Sequence, residues 1–304
     1  MYFRNLAIYV SLFILANAAS VLACWGIRPL SMGGAFVAVA DDVHSIYWNP
    51  AGLSKVPGVE LTYTRLLNLR AVERYDDFVA IAVPLKYGTL GISYTYNFDD
   101  RLLFGNKDNW MAIGSNEHYV NLGYGFPLTG NMAVGINLKL LSVDIDVKGI
   151  LTGEPFQYCD GDTIVPLDIG FLWAVTPRFS LGVLCQNFNE PVLKLANGEL
   201  KYIFNLRPGM AWRPNDRLIF ALEVYDMLDN TNGVSGRDVS LGMEAKVTEH
   251  VALRTGGYHM NNSRKGQFTA GIGFRIGGCK IDYGIMTGSD FGEATHWLSL
   301  GYSF

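Results

Sequence analysis

Gln267-Phe268-Thr269-Ala270-Gly271-Ile272-Gly273-Phe274-Arg275-Ile276 alternates without a break. Phe268, Ala270, Ile272, Phe274 and Ile276 fall on one face of an extended chain, and Gln267, Thr269, Gly271, Gly273 and Arg275 on the other. The same division sets Val120, Leu122, Tyr124 and Phe126 against Asn121, Gly123 and Gly125, and Met132, Val134, Ile136 and Leu138 against Ala133, Gly135, Asn137 and Lys139. Leu90, Ile92, Tyr94 and Tyr96 oppose Gly91, Ser93, Thr95 and Asn97 in a fourth stretch. A water-soluble sandwich would carry Lys, Glu and Asp on its wet face, where this chain has Gly, Ser, Thr and Asn. Beyond residue 23 no run approaches the roughly 18 apolar residues of a spanning helix. A membrane can then be crossed only by strands closed into a barrel, because hydrocarbon leaves an open sheet edge without partners.

Working outward, about fourteen such segments follow, an even number as a barrel of this class requires. They lie near 58–67, 75–85, 87–98, 117–128, 130–145, 162–176, 177–189, 198–213, 215–228, 236–248, 249–260, 264–277, 278–288 and 293–304. Every second connection is tight: Lys86-Tyr87, Thr129-Gly130, Thr176-Pro177, Pro214-Asn215, Thr248-Glu249 and Gly277-Gly278. The alternate ones, at 99–116, 146–161, 190–197 and 229–235, are generally longer and polar. That asymmetry assigns the short turns to the periplasm and the long loops to the outside. The fold class is all-β, a transmembrane antiparallel barrel with a short helical plug before it.

The whole 304-residue chain is 49% hydrophobic, 17% charged and contains 34 glycines, unlike a charge-rich soluble enzyme or a helical membrane protein. Its formal charge of -4 and lack of clustered Lys and Arg exclude a nucleic-acid partner. Residues 1–23 read as a signal peptide, with Arg4 before an apolar run from Leu6 to Leu15 and small-x-small sites at Ala16-Asn17-Ala18 and Val21-Leu22-Ala23. Cys24 follows a poor lipoprotein box, which favours ordinary cleavage.

Residues 24–57 differ from the rest. Phe36, Val39, Val43 and Ile46 recur at spacings of three and four and predict one or two short helices, ahead of the Asn49-Pro50 turn and Gly52. Gly33-Gly34 lacks the flanks of a phosphate loop. The run from Met32, Gly33 and Gly34 to Asp41 and Asp42, followed by Trp48-Asn49-Pro50-Ala51-Gly52-Leu53, resembles the N-terminus of the FadL and PorV superfamily of outer-membrane barrels, and most of all its PorV and UPF0164 style. That resemblance implies a hatch inside a 14-stranded barrel (residues 58–304). It also implies either a secretion-associated scaffold whose outer loops hold exported proteins, or a channel for long-chain fatty acids and other hydrophobic small molecules. The N-terminal wording ranks the scaffold first. The final strand, with Leu300, Tyr302 and Phe304 alternating with Gly301 and Ser303, resembles the signal read by the barrel assembly machinery. By physics alone it is an amphipathic strand ending in an interfacial aromatic.

Hairpin geometry predicts three inward ion pairs, Arg207 with Glu223, Glu244 with Arg254, and Arg275 with Asp282. They either stiffen the wall or hold the plug, with Arg254 or Arg275 reaching Asp41 or Asp42; wall-stiffening is the first expectation. Leu102, Phe104 and Trp110 in the 99–116 loop are candidate contacts for a ligand or partner, or pack to cap the barrel. Five histidines without metal-ligand spacing and the absence of a nucleophile elbow point away from an enzyme, a metal or a cofactor. Cys159, Cys185 and Cys279 are too widely separated on the barrel to pair.

Overall fold

The computed structural model describes residues 25–67, 74–105, 110–151, 154–196, 198–230, 237–258, 266–287 and 294–304. Residues 1–23, expected from the sequence to be a signal peptide, and Cys24 lie outside them. The strands are β1 (Glu60–Leu67), β2 (Arg74–Leu85), β3 (Gly88–Gly105), β4 (Trp110–Pro127), β5 (Met132–Leu151) and β6 (Glu154–Ile164). Next come β7 (Leu167–Thr176), β8 (Phe179–Gln186), β9 (Val192–Leu195), β10 (Gly198–Lys201), β11 (Asn205–Asn215) and β12 (Leu218–Tyr225). The last are β13 (Asp238–Lys246), β14 (Val251–Tyr258), β15 (Gln267–Ile276), β16 (Cys279–Met286) and β17 (Thr295–Ser303).

Among the described residues fifteen strands form one antiparallel sheet, and β9–β10 is a separate hairpin. β6 and β7 both pair with β5, above and below the break at Val165-Pro166, and so share one place in the wall. Pro166 supplies no N–H to a ladder, which is why the strand parts there. Fourteen wall positions remain, and β1 closes on β17 from Glu60↔Ser303 to Leu67↔His296. Closure leaves no free margin in the hydrocarbon. The outer surface carries the apolar residues of the alternation, Leu61, Ile92, Leu122, Ile136, Leu253 and Phe274 among them, each more than one-third exposed.

Two expectations about the wall are corrected. The outer connections 99–116 and 146–161 are mostly strand: β3 runs to Gly105, β4 begins at Trp110, β5 reaches Leu151 and β6 begins at Glu154. On β4, β5 and β6 alternation continues through them, but with the apolar residues on the opposite face, so a search for outward-facing apolar residues stops too early. The segment 198–213 is not one strand either; Gly198–Lys201 pairs back on Val192–Leu195 and the wall resumes at Asn205.

Inside the barrel lies the N-terminal segment, with α1 (Ile27–Ser31), α2 (Ser45–Trp48) and a 3-10 helix over Pro50–Lys55. The stretch from Phe36 to Val43 is turns, not the helix its spacing predicts. Its backbone groups are drawn to wall side chains instead, which breaks the helical ladder.

Candidate functional site

The inward faces that read as wet in the sequence are filled by this segment, which rests in a groove cut by glycine. A side chain at Gly135 would enter the Pro50–Ala51 backbone, one at Gly170 would meet Asn49 Oδ1, one at Gly182 the Val37 carbonyl, and one at Gly256 the Gly33 amide. Gly33 and Gly34 themselves sit at φ 64° and 75°, a region that side chains disfavour. Gly33 also approaches the Leu241 and Gly257 carbonyls too closely for any Cβ.

Polar contacts fix the segment at defined points. Glu223 Oε2 accepts the Phe36 and Val37 amides at 2.9 Å each, while its Oε1 accepts Arg207 Nε at 2.8 Å. Glu60 accepts the Val43 amide at 3.1 Å and Lys280 Nζ at 2.7 Å. Thr269 Oγ1 donates to the Ser31 carbonyl and accepts the Gly33 amide. Asn49, fully buried, donates through Nδ2 to the carbonyls of Val37 and of Phe171 in β7, and accepts the Ala51 amide through Oδ1. Pro50 opens the 3-10 helix, where its missing N–H costs nothing. Met32 and Ala51 are buried, and Gly52 packs on Ala40 and Ser45.

Arg28 joins plug to wall. Its guanidinium pairs with Asp41 and Asp42 on the plug and, at 2.8 and 3.0 Å, with Glu244 on β13. Burial opposes the Arg28 charge, but Asp41, Glu244 and Asp42 outweigh it and hold its pKa well above the usual value. Burial likewise opposes the Asp42 carboxylate, yet His44, at 3.0 Å, and Arg28 hold its pKa well below the usual range.

Of the three expected ion pairs, Arg207 meets Glu223 and Glu244 meets Arg254. Arg275 does not meet Asp282, because the register sets Arg275 opposite Lys280 and Asp282 opposite Gly273. With no side chain at Gly273, Arg254 Nη1 reaches over β15 to Asp282 at 2.5 Å. Arg275 is exposed at the short-turn mouth of the barrel, beside a charged cavity of about 590 Å³ that Arg28, Asp41, Asp42 and Lys280 also line. The expected route from Arg254 or Arg275 to Asp41 or Asp42 is replaced by Arg28. Sequence reading missed Arg28 because, on the plug, it considered only the acids Asp41 and Asp42 as partners for the wall's charges. It also missed Lys139 and Asp168, a buried pair at 2.6 Å on β5 and β7.

Above the plug the barrel's polarity inverts. On β5, Ile136, Leu138 and Leu140 face outward at 45–48% exposure, over Gly135, Asn137 and Lys139 inside. Past Leu141 the outer positions are Ser142, Asp144, Asp146 and Lys148, while Leu141, Val143, Ile145 and Val147 are buried within. Met111 and Ile113 on β4, Phe156 and Tyr158 on β6, and Trp297 on β17 join the same apolar cluster. The change of face marks the outer limit of the hydrocarbon, since Asp144 and Asp146 cannot face acyl chains without great cost. Leu193 and Leu195 of the β9–β10 hairpin enter this cluster, and the Lys194 and Ala196 amides donate to Asp162 and Asp160 of β6 at 2.6 and 2.7 Å.

At the floor of this apolar interior Trp25 stacks on Tyr47, rings 3.9 Å apart and 4° from parallel, with Phe78 and Tyr119 edge-on to it at 6.3 and 5.1 Å. Of the loop candidates, Leu102 and Phe104 lie in β3 opposite Ala112 and Met111, their side chains outside the described residues, and Trp110 is half-buried at the start of β4. Leu300 and Tyr302 face outward on β17, and the Phe304 amide bonds to the Val59 carbonyl. Cys159, Cys185 and Cys279 are unpaired; Cys159 lies on β6 and not in a loop.

No family model matches the chain, and no curated protein matches it. Among solved structures it is similar to the toluene transporter TbuX of Ralstonia pickettii, with TM-score 0.68 and 12% identity over 92% of this chain and 98% of that one. It is similar to the toluene transporter TodX of Pseudomonas putida at TM-score 0.65 and 12% identity, over 90% and 96% of the two chains. A FadL homologue of Pseudomonas aeruginosa gives TM-score 0.63 and 12% identity, over 94% and 98%. At such identity what is shared is the fold, along nearly the whole of both chains.

Proposed function

We propose that this protein is an outer-membrane channel for hydrophobic small molecules, of the kind its structural neighbours TbuX and TodX are named for. The observation that carries the reading is the inverted upper barrel. Its strands project beyond the hydrocarbon and carry an apolar, aromatic interior directly above the plug. A soluble outer face with an apolar inner face gives an apolar solute a dry environment before it reaches the lipid. The scaffold role ranked first from the sequence yields to this one, because the outer segments that would grip an exported protein turn their apolar residues inward: Met111, Ile113, Phe156 and Tyr158 pack inside the barrel.

The test is uptake of radiolabelled dodecane and toluene by cells with a lipopolysaccharide outer membrane, with and without this chain. Faster, saturable entry of either solute is expected when the chain is present. Entry at the background rate, together with exported proteins co-purifying on the barrel, would return the scaffold to first place.

A further inference from the structure

Trp25 lies at the level where the polar, glycine-cut part of the lumen gives way to the apolar upper interior. It is 2% exposed, and its indole Nε1 has no hydrogen-bond partner among the described residues. A buried donor left unpaired bears its full desolvation penalty, so the indole is not the ring this enclosure suits best. The walls are aromatic: the flat face of Tyr47 on one side, and the edges of Phe78 and Tyr119 on the others. Phe78 and Tyr119 flank Thr95 across adjacent strands, and the Thr95 hydroxyl is buried and unpartnered as well. A face-on and two edge-on contacts select a planar ring over a flexible chain, because each aromatic pair rewards one relative orientation.

We infer that Tyr47, Phe78 and Tyr119 form a binding site for a planar, all-carbon bicyclic ring of the naphthalene class, and that Trp25 is its built-in occupant, displaced when such a solute arrives. The inference rests on the channel reading and deepens it by naming a place and a solute shape. An all-carbon bicycle meets the same three rings as the indole and leaves no donor stranded. Trp25 is suited to leaving: its carbonyl accepts one hydrogen bond, from the Trp48 indole at 3.0 Å, and Gly26 beside it sits at φ 99°, a conformation from which glycine can swing without a Cβ penalty. Position completes the argument, since a solute descending through the apolar upper interior meets this ring before the polar plug contacts below.

The experiment measures half-saturation of uptake for radiolabelled naphthalene and for dodecane in cells carrying the full chain, with matched surface levels and heat-modifiable mobility as the check on folding. Trp25→Ala is expected to lower the naphthalene value relative to dodecane on the order of tenfold, the scale of one good aromatic pair. Tyr47→Leu keeps an apolar side chain, though a smaller one, removes the stacking face and is expected to raise the same ratio by a similar factor, so the proposal stays testable if the alanine variant does not assemble. A ratio unmoved in both variants, or dodecane entering while naphthalene does not, overturns this site and leaves the channel standing. If neither solute enters faster than in cells without the chain, the channel reading itself fails and takes this site with it.

Discussion

Replacing Glu223 by Met should release the central part of the plug while the wall stays closed. In the native chain one carboxylate neutralises Arg207 and accepts the amides of Phe36 and Val37, with Arg207 and Glu223 only 4% and 2% exposed. Removing it strands a buried guanidinium, a loss of about 3–5 kcal/mol for a broken buried pair. The two amides lose their acceptor as well, at about 1–3 kcal/mol for each one left buried. Water can reach an undocked segment, so the terms do not add fully, and about 4 kcal/mol against the docked state is a fair working value. That is roughly a thousandfold in the docking equilibrium. β12 keeps its ladders to β11 and β13, so the barrel should still assemble. Planar-bilayer conductance reads the outcome: frequent large openings in Glu223→Met, against a closed wild type. The companion Arg207→Met, Glu223→Met double variant should open less often than Glu223→Met, because it strands the amides but no charge. A single variant that stays closed and resists protease as the wild type does would refute the view that this carboxylate holds the plug.

Ile136→Lys, on the lipid-facing side of β5, should cost about 2–4 kcal/mol in a urea titration of the barrel in lipid vesicles, whereas Asp144→Ala beyond the inversion should stay within about 0.5 kcal/mol; equal costs would misplace the membrane edge. Gly135→Val should let the wall form but drive Pro50 and Ala51 from their groove, visible as raised conductance with unchanged heat-modifiable mobility on a gel. The pKa of Asp42 is held below its unfolded value, so its stabilising contribution is complete above roughly pH 4 and is lost as pH falls further. Conductance recorded from neutral to acid should therefore remain closed to about that pH, and opening between pH 8 and pH 6 would contradict the assignment.

The barrel was legible because its evidence is local. A side-chain period of two, tight turns at every second connection and an inner face rich in Gly, Ser, Thr and Asn belong to short stretches of chain, and each repeats in segment after segment. For the same reason the readable strands stop at the membrane edge. The phase of Leu141, Val143, Ile145 and Val147 is as regular as that of Ile136 and Leu138, but apolar residues on the inner face of a barrel make sense only once something above the plug is known to enclose them.

Lumen glycines show the limit most clearly. Gly135 reads in the sequence as a small residue on the wet face, and only the path of a segment more than eighty residues earlier reveals that it clears room for that segment, together with Gly170, Gly182 and Gly256, rather than facing water. Ion pairing divides the same way. Arg207 with Glu223 and Glu244 with Arg254 follow from adjacent strands and short turns. Asp282 instead takes Arg254, across Gly273, because a shift of two positions in register is invisible until the strands are aligned. Arg28 finds Glu244 across 216 residues of sequence, and a contact of that range is set by how the barrel closes around its plug, not by any pattern written beside either residue.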